Sequence, residues 1–170
     1  HEIAQTYPRG GLADMLNHFD EKFEEFTFES EWERQREYAD GRATVENLNE
    51  YLKNRGDKTF VAAEVVVRSD LDVPLGPARV SGRIDRLEMT SDGAAYIVDF
   101  KTGKNLPSKP SVQKNPQLAT YQVAIEAGRA TFIDDGELIR GITECAGGEL
   151  VYPRKAAGQR KVPSNAVSYT

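Results

Sequence analysis

The sequence predicts an α/β chain: a central mixed β-sheet flanked by α-helices, with an N-terminal helical segment ahead of it. Three observations carry this. Helical periodicity dominates up to residue 56, β-branched and aromatic runs follow at 59–67, 80–88 and 95–101, and a further helix with its own start signal precedes two closing strands. At 170 residues the chain suits one domain, divided into a helical segment 1–56, a core 57–155 and a tail 156–170. A chain of this size buries roughly 68–70% of its surface, enough for a sizeable core.

Composition narrows the function classes. The chain begins without Met and reads as a piece of a longer protein. No apolar run reaches the length of a membrane span and no signal-peptide pattern opens it, which predicts a soluble, cytoplasmic chain with no membrane partner. The single cysteine, Cys145, can form no internal disulfide and cannot supply the four thiolates of an iron–sulfur cluster, so it is expected as a small buried residue. A glycine loop with its phosphate-binding Lys is missing, so no ATP site is expected within this chain. The net charge of −5 argues against a generic polyanion-binding surface. The charge is unevenly spread, however: residues 20–50 are heavily acidic, while Lys101, Lys104, Lys109 and Lys114 follow one another with no acid among them, and Arg154, Lys155, Arg160 and Lys161 cluster near the end. Such runs are ordinarily solvated faces; beside a carboxylate site a phosphate-tracking role gains weight.

Taken in order, His1-Glu2-Ile3-Ala4 reads as the end of a helix, and Arg9-Gly10-Gly11 separates it from a second. That second stretch, 12–26, carries Leu12, Met15, Leu16, Phe19, Phe23 and Phe26 as one apolar stripe, with His18 beside it as an edge-of-core histidine. After a break at Phe28-Glu29-Ser30, a long helix runs over 31–52 with Trp32, Tyr38, Val45, Leu48 and Leu52 facing the core. Gly41 is its kink point and Arg55-Gly56-Asp57 its end.

The strand at 59–67 holds one acid, Glu64, inside an apolar run; a buried Glu is costly unless it has a partner. Residues 71–77, with Pro74, Gly76 and Pro77, read as a loop. The next two strands place Asp85 mid-strand and Asp99 before Phe100 and Lys101, with Ser91-Asp92-Gly93 as the turn between them. A hairpin centred on Asp92 sets Asp85 directly opposite Asp99, with Cβ atoms roughly 4.5–5.5 Å apart. Two carboxylates at that distance persist only with a proton or a cation between them. Alternation puts Lys101 on the face of Asp99 and turns Phe100 into the core. Residues 102–114, with Gly103, Pro107 and Pro110, form a loop long enough to fold over the site. Asn115 or Pro116 then opens a helix on which Gln117 and Tyr121 share a face, offering an amide and a phenol to a phosphate or a stacked base. Residues 138–143 and 149–152 read as closing strands with Gly147-Gly148 as their turn, and the tail from Ala156 is too poor in apolar residues to be fully ordered.

The ordered set Gly82-x-x-Asp85, Val98-Asp99-Phe100-Lys101-Thr102-Gly103 and Gln117-Leu118-Ala119-Thr120-Tyr121 resembles the PD-(D/E)XK nuclease superfamily in its RecB-like branch. The resemblance is good over 64–121 and looser in the flanks. An Asp-x-Lys alone recurs by chance on many strands; the ordered set is far more specific. It implies a restriction-endonuclease-like core in which Asp85, Asp99 and the carbonyl of Phe100 hold one or two Mg²⁺ or Mn²⁺ ions, joined by Glu64 and by His1. Lys101 would position or deprotonate the attacking water or stabilise charge on phosphorus, and Gln117, Tyr121 and Lys104 would meet the substrate. The glycine that the family places before its histidine lies outside this chain, so a metal-bound His1, a frayed terminal His1 and a role for His18 all stay open. The lone cysteine sets the chain apart from the subgroup that carries an iron–sulfur cluster.

The resemblance extends to the C-terminal part of an actinobacterial UvrD-type helicase–nuclease. It implies a metal-dependent DNA nuclease, exonucleolytic on single-stranded DNA, serving double-strand-break repair and recombination with the helicase domains of its own chain and a partner subunit. Two other readings stay open: a catalytically silent module kept for DNA binding or scaffolding, and a globular domain in which Asp85, Asp99 and Lys101 form a salt bridge.

Overall fold

The computed structural model describes residues 1–74, 76–103, 108, 115–155 and 161–165, the last five by their backbone alone. Lys104, Lys109, Lys114 and Arg160, and most of the loop expected over the site, lie outside the described residues. The chain divides into two compact units, one built on His1–Arg55 with the segments that start at Lys101 and Tyr152, the other on Gly56–Phe100, the chain up to Val151, and the last strand. No helix among the described residues is long and apolar enough to cross a membrane.

The first unit is helical: α1 (Glu2–Thr6), α2 (Leu12–Phe23) and α3 (Glu31–Lys53). Ser30 caps α3 by accepting the Glu33 N–H, and the first turn is acidic where the helix dipole favours it. Met15 and Phe23 of α2 are buried as the stripe requires, and Phe23 packs its ring on Phe28 and Tyr38. The stripe ends sooner than expected. Phe26 lies beyond α2 and is 65% exposed, and Trp32, in the first turn of α3, is 68% exposed with the Arg36 guanidinium 4.8 Å from its ring centroid. Gly41 does not break α3, which is continuous through it; a Cβ there would sit 2.3 Å from Phe19 Cζ, so the glycine serves close packing of α2 on α3.

The second unit is the sheet. Seven strands, β1 (Thr59–Val73), β2 (Gly76–Met89), β3 (Ala95–Phe100), β4 (Thr131–Asp134), β5 (Glu137–Ile139), β6 (Cys145–Val151) and β7 (Lys161–Asn165), lie in the order β5-β4-β1-β2-β3-β6-β7. Among the described residues only β3 and β6 pair in parallel, and the connection between them carries α4 (Pro116–Glu126) and the β4–β5 hairpin. The sheet is therefore mixed, as the sequence predicts. Asn115 caps α4 through its side chain, Pro116 stands in the first turn, and Leu118, Ala124 and Ile125 are fully buried.

Three expectations are corrected. Residues 71–77 are not a loop: β1 and β2 stay paired from Leu71↔Ala78 to Val73↔Gly76, because Pro74 falls in the link itself and Pro77, second in its strand, has little ladder to disrupt. The resulting ribbon is roughly 50 Å long at the usual strand rise. Gly147-Gly148 is no turn but part of β6. Gly147 (φ 120°) takes up the register shift against β3, and a Cβ on Gly148 would lie 2.8 Å from the Ile97 carbonyl oxygen. The expected strand over 138–143 shrinks to β5, paired with β4 across an Asp135-Gly136 turn in which both residues have positive φ. Within the tail, Lys161–Asn165 adds to the sheet edge through its backbone ladder to β6, which needs no apolar side chains.

Candidate active site

The centre of the sheet is set by the β2–β3 hairpin. Thr90 closes its turn: the Ala94 N–H donates to Thr90 Oγ1 at 3.1 Å, and the Thr90 hydroxyl also meets the Asp92 carboxylate. The ladder runs from Met89↔Ala95 to Arg86↔Val98, symmetric about residue 92 as the hairpin geometry demands. It stops one pair short of Asp85 and Asp99. There the Phe100 backbone N–H donates instead to Asp85 Oδ2 at 2.7 Å, a charge-assisted bond that fixes Asp85 against the end of β3.

On its other side β2 meets β1. The pairs Ala63↔Arg86 and Val65↔Ile84 bracket Glu64 and Asp85, which therefore face each other, and carboxylate oxygens of the two lie within 4.8 Å. Glu64 has φ 54°, the left-handed region, in mid-strand. The one other described residue of this kind apart from glycines, Asp135, sits in a tight turn where that conformation is ordinary. For a mid-strand Glu it costs on the order of 1–3 kcal/mol. The Arg83 guanidinium stands 3.5 Å from the Glu64 carboxylate.

The strain coincides with a slip in alternation. A Cβ on Gly82 would meet the Tyr121 ring of α4, and one on Gly148, beside Ile97, would meet Leu118 of the same helix. Ile97 is opposite Leu87. Gly82 and Leu87 thus share the α4 face although they are five residues apart, which strict period-2 alternation forbids. The change of face on β2 falls between Gly82 and Leu87, the stretch that holds Asp85, and β1 carries a register shift nearby, between Phe60 and Ala62.

Of the other predicted residues, Asp99 is buried at 4% exposed, paired in register with Leu150 of β6, and stands outside the close carboxylate set. Phe100 is buried as expected. Lys101 follows β3 by one peptide bond and is half-buried. His1 begins the helical unit, ahead of α1. His18 is engaged within that unit, its Nε2 3.3 Å from Glu2 Oε1 and its ring edge-on to Tyr7, as an edge-of-core histidine should be. Tyr121 is buried, and its hydroxyl donates to the Arg83 carbonyl at 3.2 Å while its ring covers Gly82. Gln117, one helical turn earlier, is half-buried. Lys104 lies outside the described residues.

Three charged residues, Arg83, Arg86 and Glu88, are not among the site residues that the sequence predicts. Arg86 and Glu88, alternate residues of β2, form a buried ion pair of 2.6 Å, with the Arg86 guanidinium 4.7 Å from the Phe60 ring centroid. Arg83 contacts Glu64 directly. Arg86-Leu87-Glu88 carries its own signal, because Arg-x-Glu in a strand puts opposite charges on one face, whereas the Arg83–Glu64 contact joins two strands and depends on their register.

The donor set suits a hard divalent cation. Glu64, Asp85, Asp99 and the Phe100 carbonyl are all oxygen donors, the preference of Mg²⁺ and Mn²⁺, and two carboxylates held within 4.8 Å by a strained backbone are stabilised by a positive charge between them. Cys145, the one soft ligand, is buried at the start of β6, and burial pushes its thiol up to about 11. Among curated proteins, no sequence matches the chain. The family model of the PD-(D/E)XK nuclease superfamily matches residues 1–162, and the chain belongs to that superfamily of phosphodiester-cleaving enzymes.

Proposed function

We propose that the chain is a metal-dependent deoxyribonuclease centred on Glu64, Asp85 and Asp99. The observation that supports this most is the opposition of Glu64 and Asp85 at the one strained point of the strand, beside the residue pair Asp99-Phe100. Asp85, Asp99, Glu64 and the Phe100 carbonyl would hold Mg²⁺ or Mn²⁺, with His1 as a further ligand. Such an ion, when bound, lowers the pKa of a coordinated water and neutralises phosphate oxygens. Lys101 orients the water and faces the charge that grows on phosphorus as the new P–O bond forms and the bond to the leaving sugar oxygen breaks. Asp85 keeps Phe100 in place through its 2.7 Å bond, so loss of its carboxylate removes both a donor and an anchor. Gln117 and Lys104 contact the substrate. Tyr121 acts through β2, holding the strand that carries Asp85.

The substrate reading is single-stranded DNA degraded from an end, with the chain serving as the nuclease part of a helicase–nuclease in double-strand-break repair. The test is degradation of end-labelled single-stranded DNA in Mg²⁺ or Mn²⁺ beside Asp99→Ala and Lys101→Ala. Each substitution should cost on the order of 10²-fold or more, the usual effect of removing one catalytic group. Metal binding that Asp99→Ala abolishes, with no cleavage by the native chain, would favour a silent DNA-binding module instead. Absence of metal binding would sink both readings.

A further inference from the structure

We propose that the outer face of β1, β2 and β4 carries a phosphate-binding groove that leads a polynucleotide strand away from the Glu64–Asp85 centre. It rests on the nuclease reading for the identity of the polyanion. Two cavities adjoin on this face. One, of about 400 Å³, is lined by Glu64, Val66, Arg83 and Ile133 with the Asp134–Gly136 turn. The second, of about 390 Å³, is lined by Arg68, Asp70, Arg79, Ser81, Arg129 and Thr131.

The register shows that they are continuous. Val66, Arg83 and Ile133 form one row across the three strands, and the next row on the same face is Arg68, Ser81 and Thr131. Beyond it Asp70 faces Arg79. Arg83, Ser81 and Arg79 therefore step along one face of β2, and four residues of strand span roughly 13 Å. That places several positive charges along the path of one nucleic-acid strand, starting from an arginine that touches a candidate metal ligand.

The chemistry of the lining selects phosphate over base. Its donors are guanidinium and hydroxyl groups, and no aromatic ring lines either cavity, so nothing there stacks on a base or reads its edge. Arg79, Arg83 and Arg129 are well exposed and lean on Asp70, Glu64 and Asp72, exchangeable surface pairs that a phosphate can replace. Arg68 is exposed and has no ion pair or hydrogen bond among the described residues. Around the second cavity three arginines, Arg68, Arg79 and Arg129, stand against Asp70 and Asp72, which makes this stretch basic in a chain whose net charge is −5, while at the first cavity Arg83 stands among the acids Glu64, Asp134 and Asp135.

The test is the binding of a fluorescein-labelled oligothymidylate in EDTA, read by anisotropy at increasing KCl. Arg68→Ala with Arg79→Ala should weaken binding and flatten the slope of log affinity against log salt by about 1.4, since each phosphate contact on a single strand contributes about 0.7. Asp72→Asn, which frees Arg129, should tighten binding. Failure of the native chain to bind, or an affinity and slope that none of these substitutions moves, overturns the groove. Hydrolysis of bis(4-nitrophenyl) phosphate in Mn²⁺, a substrate too small to reach the groove, reports the centre alone and should be unchanged in the groove variants. Binding that responds to the arginines without any such hydrolysis would keep the groove and overturn the nuclease reading; hydrolysis with unresponsive binding would do the reverse.

Discussion

Gly82→Ala tests whether α4 positions the strand that carries Asp85. A Cβ at Gly82 would lie 2.3 Å from Tyr121 Oη, 2.8 Å from Cε1 and 2.9 Å from Cζ, an overlap of two ring carbons and a hydroxyl at once. Tyr121 has little room to yield: it is 7% exposed, and its hydroxyl is tied to the Arg83 carbonyl at 3.2 Å, one residue along the same strand. Overpacking of this kind costs about 1–3 kcal/mol, and losing the hydroxyl's bond adds about 0.5–1.5. A total of roughly 2–4 kcal/mol lowers the melting temperature by about 4–16 °C for a chain of this size. Thermal unfolding followed by circular dichroism reads it.

The discriminating measurement is the same substitution in a Tyr121→Ala background. With the ring gone the three nearest neighbours of the new methyl are gone, and replacing a strand glycine by alanine becomes favourable by roughly 0.5–1 kcal/mol. The effect of Gly82→Ala should therefore change sign between the two backgrounds. An equal loss in both would show that the cost comes from the strand backbone and that Tyr121 does not hold it, which would return Tyr121 to direct substrate contact.

Other outcomes follow from the same structure. In EDTA, Glu64→Gln should raise the unfolding temperature, because it removes one of two carboxylates held within 4.8 Å, and Mg²⁺ or Mn²⁺ should stabilise the native chain and not the variant, reversing the order. Glu64→Gly should stabilise the metal-free chain further, by about 1 kcal/mol or more, since φ 54° suits glycine. Gly148→Ala should destabilise whatever is trimmed around it, because its nearest neighbour is the Ile97 backbone carbonyl at 2.8 Å, and denaturant unfolding of Gly148→Ala with and without Leu118→Ala checks this. Cys145 should resist iodoacetamide at pH 8 in the native chain and react on unfolding. Its pKa, raised to about 11, means that the stability contributed by the protonated thiol is intact below the unfolded value near 9 and is lost as pH rises through 11.

The register of the β2–β3 hairpin could be read from residue spacing because the hairpin is short. Once Asp92-Gly93 marks the turn, register follows by symmetry, and the observed pairs lie where that symmetry puts them. The long β1–β2 ribbon could not be read the same way. Pro74, Gly76 and Pro77 look like loop punctuation, and only the backbone ladder reveals that two strands pass almost through them. The Gly147-Gly148 pair failed for a related reason: glycine signals a turn or a close approach equally well, and the deciding neighbours, Ile97 and Leu118, are about 30 to 50 residues distant in sequence. Phe26 and Trp32 fit the apolar side of their helices by spacing, which cannot tell a buried ring from one that ends a stripe at a helix terminus.

The least legible feature is the backbone of Glu64, and it is the one that argues most directly for chemistry. A Glu in the left-handed region carries a cost that the same position would not carry as Gly. What it does is let β1 and β2 change face together, so that Val65 and Ile84 on one side of the slip and Leu87 on the other are all fully buried while Glu64 and Asp85 remain only half-buried between them. Regular strands would have to choose: alternation that buries Gly82 and Ile84 beneath α4 would turn Leu87 to the opposite face. The slip removes that choice and leaves two carboxylates facing each other at the discontinuity. A sheet optimised for stability alone would have a glycine here opposite a neutral residue. A pair of acidic side chains at this point is explained by a task that uses both carboxyl groups.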